Sequence, residues 1–141
     1  MDHVATMRRC YELLNAGDFD GFADYLADDL VEHETSPGIE PTKEGVVQFF
    51  TSYRAAFPDL RFEPEDFITE GDKIVARGRL SGTFTGEFLG MSPTGRSFDV
   101  EIIDIVRFGD DGRALEHWGL SDVMTMMQQL GVVPAPDEAP A

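Results

Sequence analysis

The stretch FDVEIIDIVRFGDDGRALEHWGLSD, residues 98–122, carries the pattern that decides the fold. Its first half alternates, and the even positions from 98 to 108 are apolar except for Asp104. Because side chains of a strand alternate between two faces, this pattern predicts a strand with one carboxylate among apolar neighbours. The Asp-Asp-Gly sequence at 110–112 suits a three-residue hairpin loop. The stretch therefore predicts a β-hairpin.

The loop length also predicts which residues of the two strands face each other. It places Asp104 opposite Trp118, with Glu116 and Asp122 on the same face as Asp104. A carboxylate among apolar side chains is costly unless it is paired, protonated or exposed to a cavity. Three acids on one face therefore indicate a lined pocket. A register shifted by one residue would put His117 in the place of Trp118.

The composition indicates one globular domain, which we place at residues 1–131, followed by a proline- and alanine-rich tail at 132–141. The chain has 141 residues, of which 42% are hydrophobic, and a domain of this size buries roughly two-thirds of its surface. No apolar run is long enough for a membrane helix, and because the first residues enter a helical pattern directly, we expect no signal peptide. The net charge of -16 argues against nucleic-acid and anionic-membrane partners.

The single cysteine, Cys10, excludes an internal disulfide and fits a reducing compartment, so we expect a cytoplasmic protein. Cys10 lies on the apolar stripe of the first predicted helix, which favours an inert buried thiol over a nucleophile. The scattered histidines lack the spacing of a metal site, and we expect no metal. The chain contains no phosphate loop, dinucleotide fingerprint or nucleophile elbow.

The remaining chain predicts helices first and strands later. Apolar residues at helical spacing change to a period of two after residue 59. A short early strand would place His33 on one face, with Glu32 and Glu34 on the other. This order predicts an α+β domain in which one curved sheet wraps its helices. Helices are predicted at 4–14, 43–57 and 123–130. A further short helix is predicted after Asp18, with Leu26 on its buried side. Strands are predicted at 30–34, 60–69 and 73–84, in addition to the two strands of the hairpin.

The glycine-rich loop at 85–97 has an apolar tip that includes Phe88. Such a tip could form a lid over the pocket, or it could pack as the end of a long hairpin. Both interpretations stay open at the level of sequence.

Four stretches resemble the SnoaL-like polyketide (ester) cyclases. They are VEHE at 31–34, FFTSYRAAFPDLRF at 49–62, GDKIVARGRLSGTFTGEFLGMSPTG at 71–95 and IIDIVRF…EHWGLSD at 102–122. The resemblance runs from about residue 4 to Pro134. These cyclases belong to the superfamily of nuclear transport factor 2 and ketosteroid isomerase. The resemblance implies a cone-shaped α+β barrel, with a curved, mainly antiparallel sheet wrapping N-terminal helices around a pocket.

The resemblance also implies catalytic residues. In these cyclases an aspartate near the end of the last strand is the acid/base, and no metal or organic cofactor takes part. Asp122 matches that aspartate, and Asp104 and His33 match other polar positions that line the pocket. Each of these three residues could instead have a purely structural role. Asp122 could cap the following helix, Asp104 could form a buried ion pair, and His33 could be a hydrogen-bonded core histidine.

Two residues depart from the family pattern. Phe84, in GTFTG, stands where many relatives have histidine, and this removes a possible proton carrier. Gly78 stands where many relatives have a large aromatic residue, and this should widen the cavity. The residues expected to bind substrate are Trp118, Glu116, Tyr53, Phe49, Phe50, Phe84, Phe88 and His117.

The expected function is ring closure of a hydrophobic, polyketide-like small molecule by an intramolecular aldol reaction. A carboxylate in an apolar cavity has its pKa raised toward the working pH, which suits proton transfer. Asp122 would remove a proton α to a carbonyl, and Asp122, Asp104 or His33 would return it to the aldol oxygen. The alternatives are water addition to an epoxide, another isomerase or dehydratase reaction, and a non-catalytic binding domain.

The outer face of the predicted sheet carries Ile103, Ile105 and Val75 among charged residues. An exposed apolar patch on a sheet commonly contacts a second subunit, so we expect a homodimer or a higher homo-oligomer.

Overall fold

The structure is a computed structural model that describes residues 2–137 and contains four helices and five strands in that range. The strands form one sheet in the order β1-β5-β4-β3-β2. All neighbours are antiparallel except β1 and β5, which are parallel. The predicted α+β class with a mainly antiparallel sheet is confirmed. The elements are α1 His3–Ala16, α2 Phe19–Ala23, β1 Leu26–Glu32, α3 Lys43–Ala56, β2 Arg61–Glu70, β3 Lys73–Thr83, β4 Ser97–Phe108, β5 Ala114–Ser121 and α4 Val123–Leu130.

Helices α1 and α3 begin at side chains that accept hydrogen bonds from free backbone N–H groups, and α1 ends at a glycine. The Asp2 carboxylate accepts a hydrogen bond from the Ala5 N–H at the start of α1, and Gly17 closes that helix with φ of 73°. The Thr42 hydroxyl accepts from the Gly45 N–H at the start of α3. None of the helices at residues 2–137 is long and apolar enough to cross a membrane.

The core lies between the helices and one face of the sheet, which we call the inner face and which carries Leu80, Ile102 and Asp104. Helix α1 contacts β2, α3 contacts β1, and α4 contacts β4. The opposite side of the sheet, the outer face, carries Ile103 and Leu120, which are exposed. Because the helices cover only the inner face, any cavity enclosed by the fold must lie there.

Strand β1 differs from its prediction because it forms by pairing with a distant partner. It begins at Leu26, which the sequence placed on a helix, and it ends at Glu32 rather than at residue 34. The Ala114 N–H donates to the Tyr25 carbonyl at 2.7 Å, and the His33 N–H donates to the His117 carbonyl at 2.9 Å. Both bonds join the segment to β5, so no local pattern sets its ends.

The register of the β4–β5 hairpin is shifted by one residue from the prediction. The loop closes as expected, with the Gly109 N–H donating to the Arg113 carbonyl at 2.9 Å. A β-bulge follows, and it moves the rest of β5 along by one position. A shift of one residue turns every later side chain to the other face. Asp104 therefore lies opposite Gly119, and the prediction that it lies opposite Trp118 is wrong.

Gly78 brings two strands together and does not widen the cavity. A Cβ atom at Gly78 would overlap the carbonyl oxygen of Glu63 and lie 2.8 Å from Cα of Pro64. The pairing of β2 with β3 is irregular between Pro64 and Asp66. The space beside Gly78 is thus filled by the backbone of β2, and the expectation of a wider cavity is wrong.

Candidate active site

A cavity of about 270 Å³ lies between α1, α3, α4 and the inner face of the sheet. Its walls are largely apolar. Helix α1 contributes Met7 and Leu14, and the sheet contributes Leu80, Ile102 and Val106. Of the aromatic residues expected to bind substrate, those that line it are Phe49, Phe50, Tyr53 and Phe88.

A cluster of four polar side chains, contributed by four different elements, lines one wall of the cavity. His117 on β5 is the centre of the cluster. Its Nε2 lies 2.9 Å from Oδ1 of Asp104 on β4, and its Nδ1 lies 2.6 Å from Oε1 of Glu32 on β1. The Tyr11 hydroxyl on α1 donates to Oδ2 of Asp104 at 2.6 Å. We call these residues the polar cluster.

The two carboxylates determine the charge of His117. Burial disfavours the imidazolium, but the hydrogen bonds and negative charges of Asp104 and Glu32 outweigh it and raise the pKa of His117 to about 10. At neutral pH the ring is therefore a cation, and both of its N–H groups donate to carboxylates. A ring in this state cannot accept a proton, so His117 acts by orienting its partners and by its charge.

Tyr11 fixes the second oxygen of Asp104. Burial of the Tyr11 hydroxyl, then the negative charge of Asp104, raise the pKa of Tyr11 well above its usual range. Tyr11 therefore stays protonated and donates to Asp104. With Tyr11 on one oxygen and His117 on the other, the Asp104 carboxylate is held in one orientation at the cavity wall.

Cys10 also lines the cavity. Burial raises the pKa of its thiol to about 12. Because the thiolate is the nucleophilic form of cysteine, Cys10 is inert at neutral pH.

Glu32, Glu34 and His117 are the described residues that come closest to a metal site, because their donor atoms lie within 4.8 Å of one another. Histidine binds a metal as the neutral ring. Here both ring nitrogens of His117 already contact carboxylates, and its pKa is raised. The donor set therefore does not suit a metal ion.

The sequence model of the SnoaL-like polyketide cyclases matches residues 4–130. The chain belongs to this family. It is 31% identical over 136 residues to the aklanonic acid methyl ester cyclase AcmA of Streptomyces galilaeus, covering 92% of this chain and 91% of AcmA.

Two crystal structures share the SnoaL-like fold seen here. IdmH of Streptomyces antibioticus, a proposed polyketide cyclase, superposes with a TM-score of 0.80 and 34% identity, covering 93% of this chain and 99% of IdmH. AclR of Streptomyces galilaeus, a proposed hydroxylase, superposes with a TM-score of 0.83 and 27% identity, covering 99% of this chain and 85% of AclR. One SnoaL-like fold thus carries proteins that are assigned different reactions.

Asp122, the residue that the SnoaL-like resemblance implies as the acid/base, lies outside the cavity lining. It is exposed and caps α4. Its Oδ1 accepts from the Thr125 N–H at 3.2 Å, and its Oδ2 accepts from the Thr125 hydroxyl at 2.8 Å. The expectation that Asp122 shares the face of Asp104 is wrong in placement, because the bulge in β5 reverses the faces.

His33, Glu116 and Trp118 form a second cluster, on the outer face. The rings of His33 and Trp118 stack at 4.8 Å, and Nε2 of His33 lies 2.7 Å from Oε2 of Glu116. Glu116 also accepts from Nε of Arg107 at 3.0 Å. None of these three expected site residues lines the cavity. The shifted register turns Glu116 and Trp118 outward. His33 directly follows Glu32, whose side chain points inward at the end of β1, so His33 faces outward.

Phe84 is fully buried and stacks on Phe57 at 5.2 Å, in the core and not in the cavity lining. The loop tip carries Phe88, which stacks on Tyr53 at 4.8 Å, and Leu89, which is half exposed and lines the cavity.

Of the predicted tail, residues 138–141 lie outside the described residues, and Val132 packs against the core.

Sequence reasoning missed Tyr11, Glu32 and Glu34 as site residues. The alternation in 31–34 places both glutamates on one face, whereas the family resemblance implies His33, on the other face. Tyr11 belonged to an apolar helical stripe. One sequence signal does indicate the glutamates: two acids at alternate positions of a short strand must lie on the same face.

Proposed function

We propose that this chain is a cofactor-independent cyclase that closes a ring in a polyketide ester by an intramolecular aldol reaction. One observation carries the proposal: the Asp104 carboxylate, oriented by Tyr11 and His117, lies at the wall of an apolar cavity. The name of the relative AcmA suggests the substrate class, a methyl ester such as that of aklanonic acid.

The first step is proton removal by Asp104. Its carboxylate accepts a proton from a carbon that lies between two carbonyl groups of the substrate, which leaves an enolate. The imidazolium of His117, whose pKa is raised to about 10, places a positive charge beside this site. Fixed charges in an apolar cavity stabilise a developing anion more than they do in water.

The second step is ring closure. The enolate carbon forms a bond to a second carbonyl carbon of the same molecule, and the displaced electron pair moves to the carbonyl oxygen, which takes up a proton. The product is an isomer of the substrate, so the reaction needs no oxidant or reductant. Because both partners belong to one molecule, the cavity accelerates the step mainly by orienting them.

The volume and the aromatic walls of the cavity suit this substrate class. Its volume of about 270 Å³ is close to the lower end of the roughly 300–1,000 Å³ range of ligand pockets. The ring of Phe49 packs edge to face against Tyr53. The ring of Phe88 stacks on the same tyrosine. Aromatic walls of this kind pack well on flat conjugated molecules.

Epoxide hydration is the rival reaction, and the charges of the site do not favour it. That chemistry needs two acids bridged by an inward arginine. Arg107 pairs with Glu116 on the outer face, while Arg77 and Arg79 pair with exposed carboxylates. The cation beside the cavity is His117 instead.

The experiment that tests the proposal is direct ring closure. The purified chain is incubated with a panel of poly-β-keto esters that includes aklanonic acid methyl ester, and products of unchanged mass are separated by chromatography. Asp104→Asn should lower the rate on the order of a hundredfold, because an amide cannot accept the proton. Asp110→Asn, in the exposed hairpin loop, is the matched control. A panel left unchanged by the wild-type chain, or an Asp104→Asn variant with the parental rate, would contradict the proposal.

We also propose that the chain acts as a homodimer in the cytoplasm. The single cysteine supports a reducing compartment. The exposed apolar side chains of the outer face, which include Ile103 and Leu120, support a contact with a second copy.

A further inference from the structure

Gly119 leaves a space on the inner face of β5, and Glu34 fills that space. Gly119 lies opposite Asp104, so a side chain at position 119 would point into the cavity beside this aspartate. A Cβ atom there would overlap Oε2 of Glu34 and would lie 2.9 Å from Cε1 of His117. The backbone at Gly119 is outside the left-handed region. Glycine at position 119 therefore leaves room for the Glu34 carboxyl group, and it is not required by the backbone conformation.

The segment that carries Glu34 is tied to the polar cluster. The Glu34 N–H donates to Oε1 of Glu32 at 2.9 Å, and this same oxygen contacts Nδ1 of His117. The preceding N–H, of His33, donates to the carbonyl of His117. These bonds hold the end of β1 against β5, so the sheet places the Glu34 carboxyl group against the cavity, although the residue as a whole is exposed.

Ionisable groups from three strands and two helices surround Glu34. Burial of its carboxyl group, then the negative charge of Asp104, raise the pKa of Glu34; Glu32 acts in the same direction and His117 opposes. A carboxyl group in such surroundings keeps its proton to a higher pH than one in open solvent. Within residues 2–137 its side chain forms no hydrogen bond, so its proton is available to a bound molecule. The groups that face it are Asp104 on β4, His117 on β5, Glu32 on β1, Tyr11 on α1 and Tyr53 on α3.

We propose that Glu34 is the general acid of this site, with Gly119 as the residue that positions it. The inference rests on the proposed cyclase function and adds the second proton carrier that the reaction requires. Asp104 takes the proton from carbon, the new carbon–carbon bond forms, and the electron pair displaced onto the carbonyl oxygen takes the proton of Glu34. The protonated Asp104 then returns a proton to Glu34, which restores both groups.

The position of the Glu34 carboxyl group can be tested without measuring ring closure. Carbon-detected NMR follows the glutamate carboxyl groups of the wild-type chain across pH, and Glu34→Gln identifies the signal by its loss. We expect the Glu34 midpoint to lie above those of the exposed glutamates. In Gly119→Ala the added methyl group displaces the carboxyl group, so its midpoint should move down toward theirs. A midpoint that is ordinary in the wild-type chain, or unchanged in Gly119→Ala, would overturn the positioning.

The catalytic role is tested by the pH dependence of ring closure. Because the acid form of Glu34 is required, the rate should be highest below its pKa and fall as the pH rises through it. Glu34→Gln should lower the maximal rate on the order of a hundredfold and abolish this alkaline decline. Glu87→Gln, which changes an exposed carboxyl group outside the cavity, is the matched control.

The outcomes separate this inference from the proposed function. If the wild-type chain closes rings and Glu34→Gln retains the parental rate and pH profile, Glu34 is not the acid, and the cyclase proposal stands. If the wild-type chain closes no ring, the cyclase proposal fails, while the NMR titration still reports whether Gly119 positions Glu34. Melting temperatures verify folding, and Glu34→Gln should melt no lower than the wild-type chain at pH 8, since it removes like-charge repulsion.

Discussion

His117 shows how one residue combines a structural and a chemical role. It joins β1, β4 and β5 through Glu32 and Asp104, and it brings a positive charge to the inner face of a chain with a net charge of -16. Without it, two carboxylates would share a largely buried site, which is costly. The same contact that orients Asp104 for proton transfer therefore also stabilises the sheet.

The charge of His117 predicts how stability depends on pH. Its pKa is raised from 6.5 to about 10 in the folded chain. A raised pKa stabilises the fold fully below the unfolded value of 6.5, and this stabilisation is lost as the pH rises through about 10. The difference in unfolding free energy between the wild-type chain and His117→Gln should therefore shrink between pH 6.5 and 10. Denaturant unfolding at several pH values measures it.

His33→Gln provides the control for this measurement, because it removes an exposed histidine of the outer face. A difference between the wild-type chain and His117→Gln that stays constant over the whole pH range would show that His117 is not held as a cation.

At the scale of elements, helix α4 depends on its first residue. Asp122 accepts two hydrogen bonds from Thr125, and Gly131 ends the helix in the left-handed conformation with φ of 77°. The inner side of the helix carries Met126 and Leu130, which are buried. The cap thus fixes the point at which the chain leaves β5 and packs back on the core.

Substitution of Asp122 separates capping from catalysis. Asn caps helices as well as Asp does, so Asp122→Asn should change stability by less than about 1 kcal/mol, whereas Asp122→Ala should cost about 0.5–2 kcal/mol. Because Asp122 lies outside the cavity lining, we expect Asp122→Asn to close rings at the parental rate. Melting curves and the ring-closure assay measure both effects. A variant that melts normally but loses activity a hundredfold would support the acid/base role that the family resemblance implies.

For the whole molecule, the outer face of the sheet is the surface left without a cover within the described chain. Strand pairing aligns Ile68, Val75, Ile105 and Trp118 in one row across four strands. The next row contains Ile103 and Leu120, which are 46% and 80% exposed. Apolar side chains in adjacent rows form one patch, and the ion pair of Arg77 with Asp66 occupies the far end of the second row.

The expected consequence of this patch is a homodimer that associates through the outer face. Sedimentation at tens of micromolar should show a dimer for the wild-type chain and a monomer for Leu120→Glu, which puts a charge into the apolar patch. Met124→Glu, which changes a similarly exposed apolar residue on α4, should remain a dimer. A wild-type chain that sediments only as a monomer would contradict this expectation.

The sequence by itself determined the elements whose signals are local. The caps at Asp18 and Asp122 and the loop at 110–112 can be read within a few residues, because a cap or a tight loop is formed by neighbours in the chain. The alternation of β4 likewise identified Asp104 as an inward carboxylate, since side chains of a strand alternate wherever it pairs. The α+β class followed from the order of these elements.

Only the tertiary structure decided which polar groups meet at the cavity. Tyr11 and Asp104 are 93 positions apart in the chain, and Glu32 and His117 are 85 apart. The parallel pairing of β1 with β5 brings Glu32 and Glu34 to the cavity, and the bulge in β5 turns His117 inward and Trp118 outward. A bulge inserts one residue with little change in local composition, yet it reverses both faces of everything that follows. Its position is set by packing against distant strands and helices, which the local pattern does not contain.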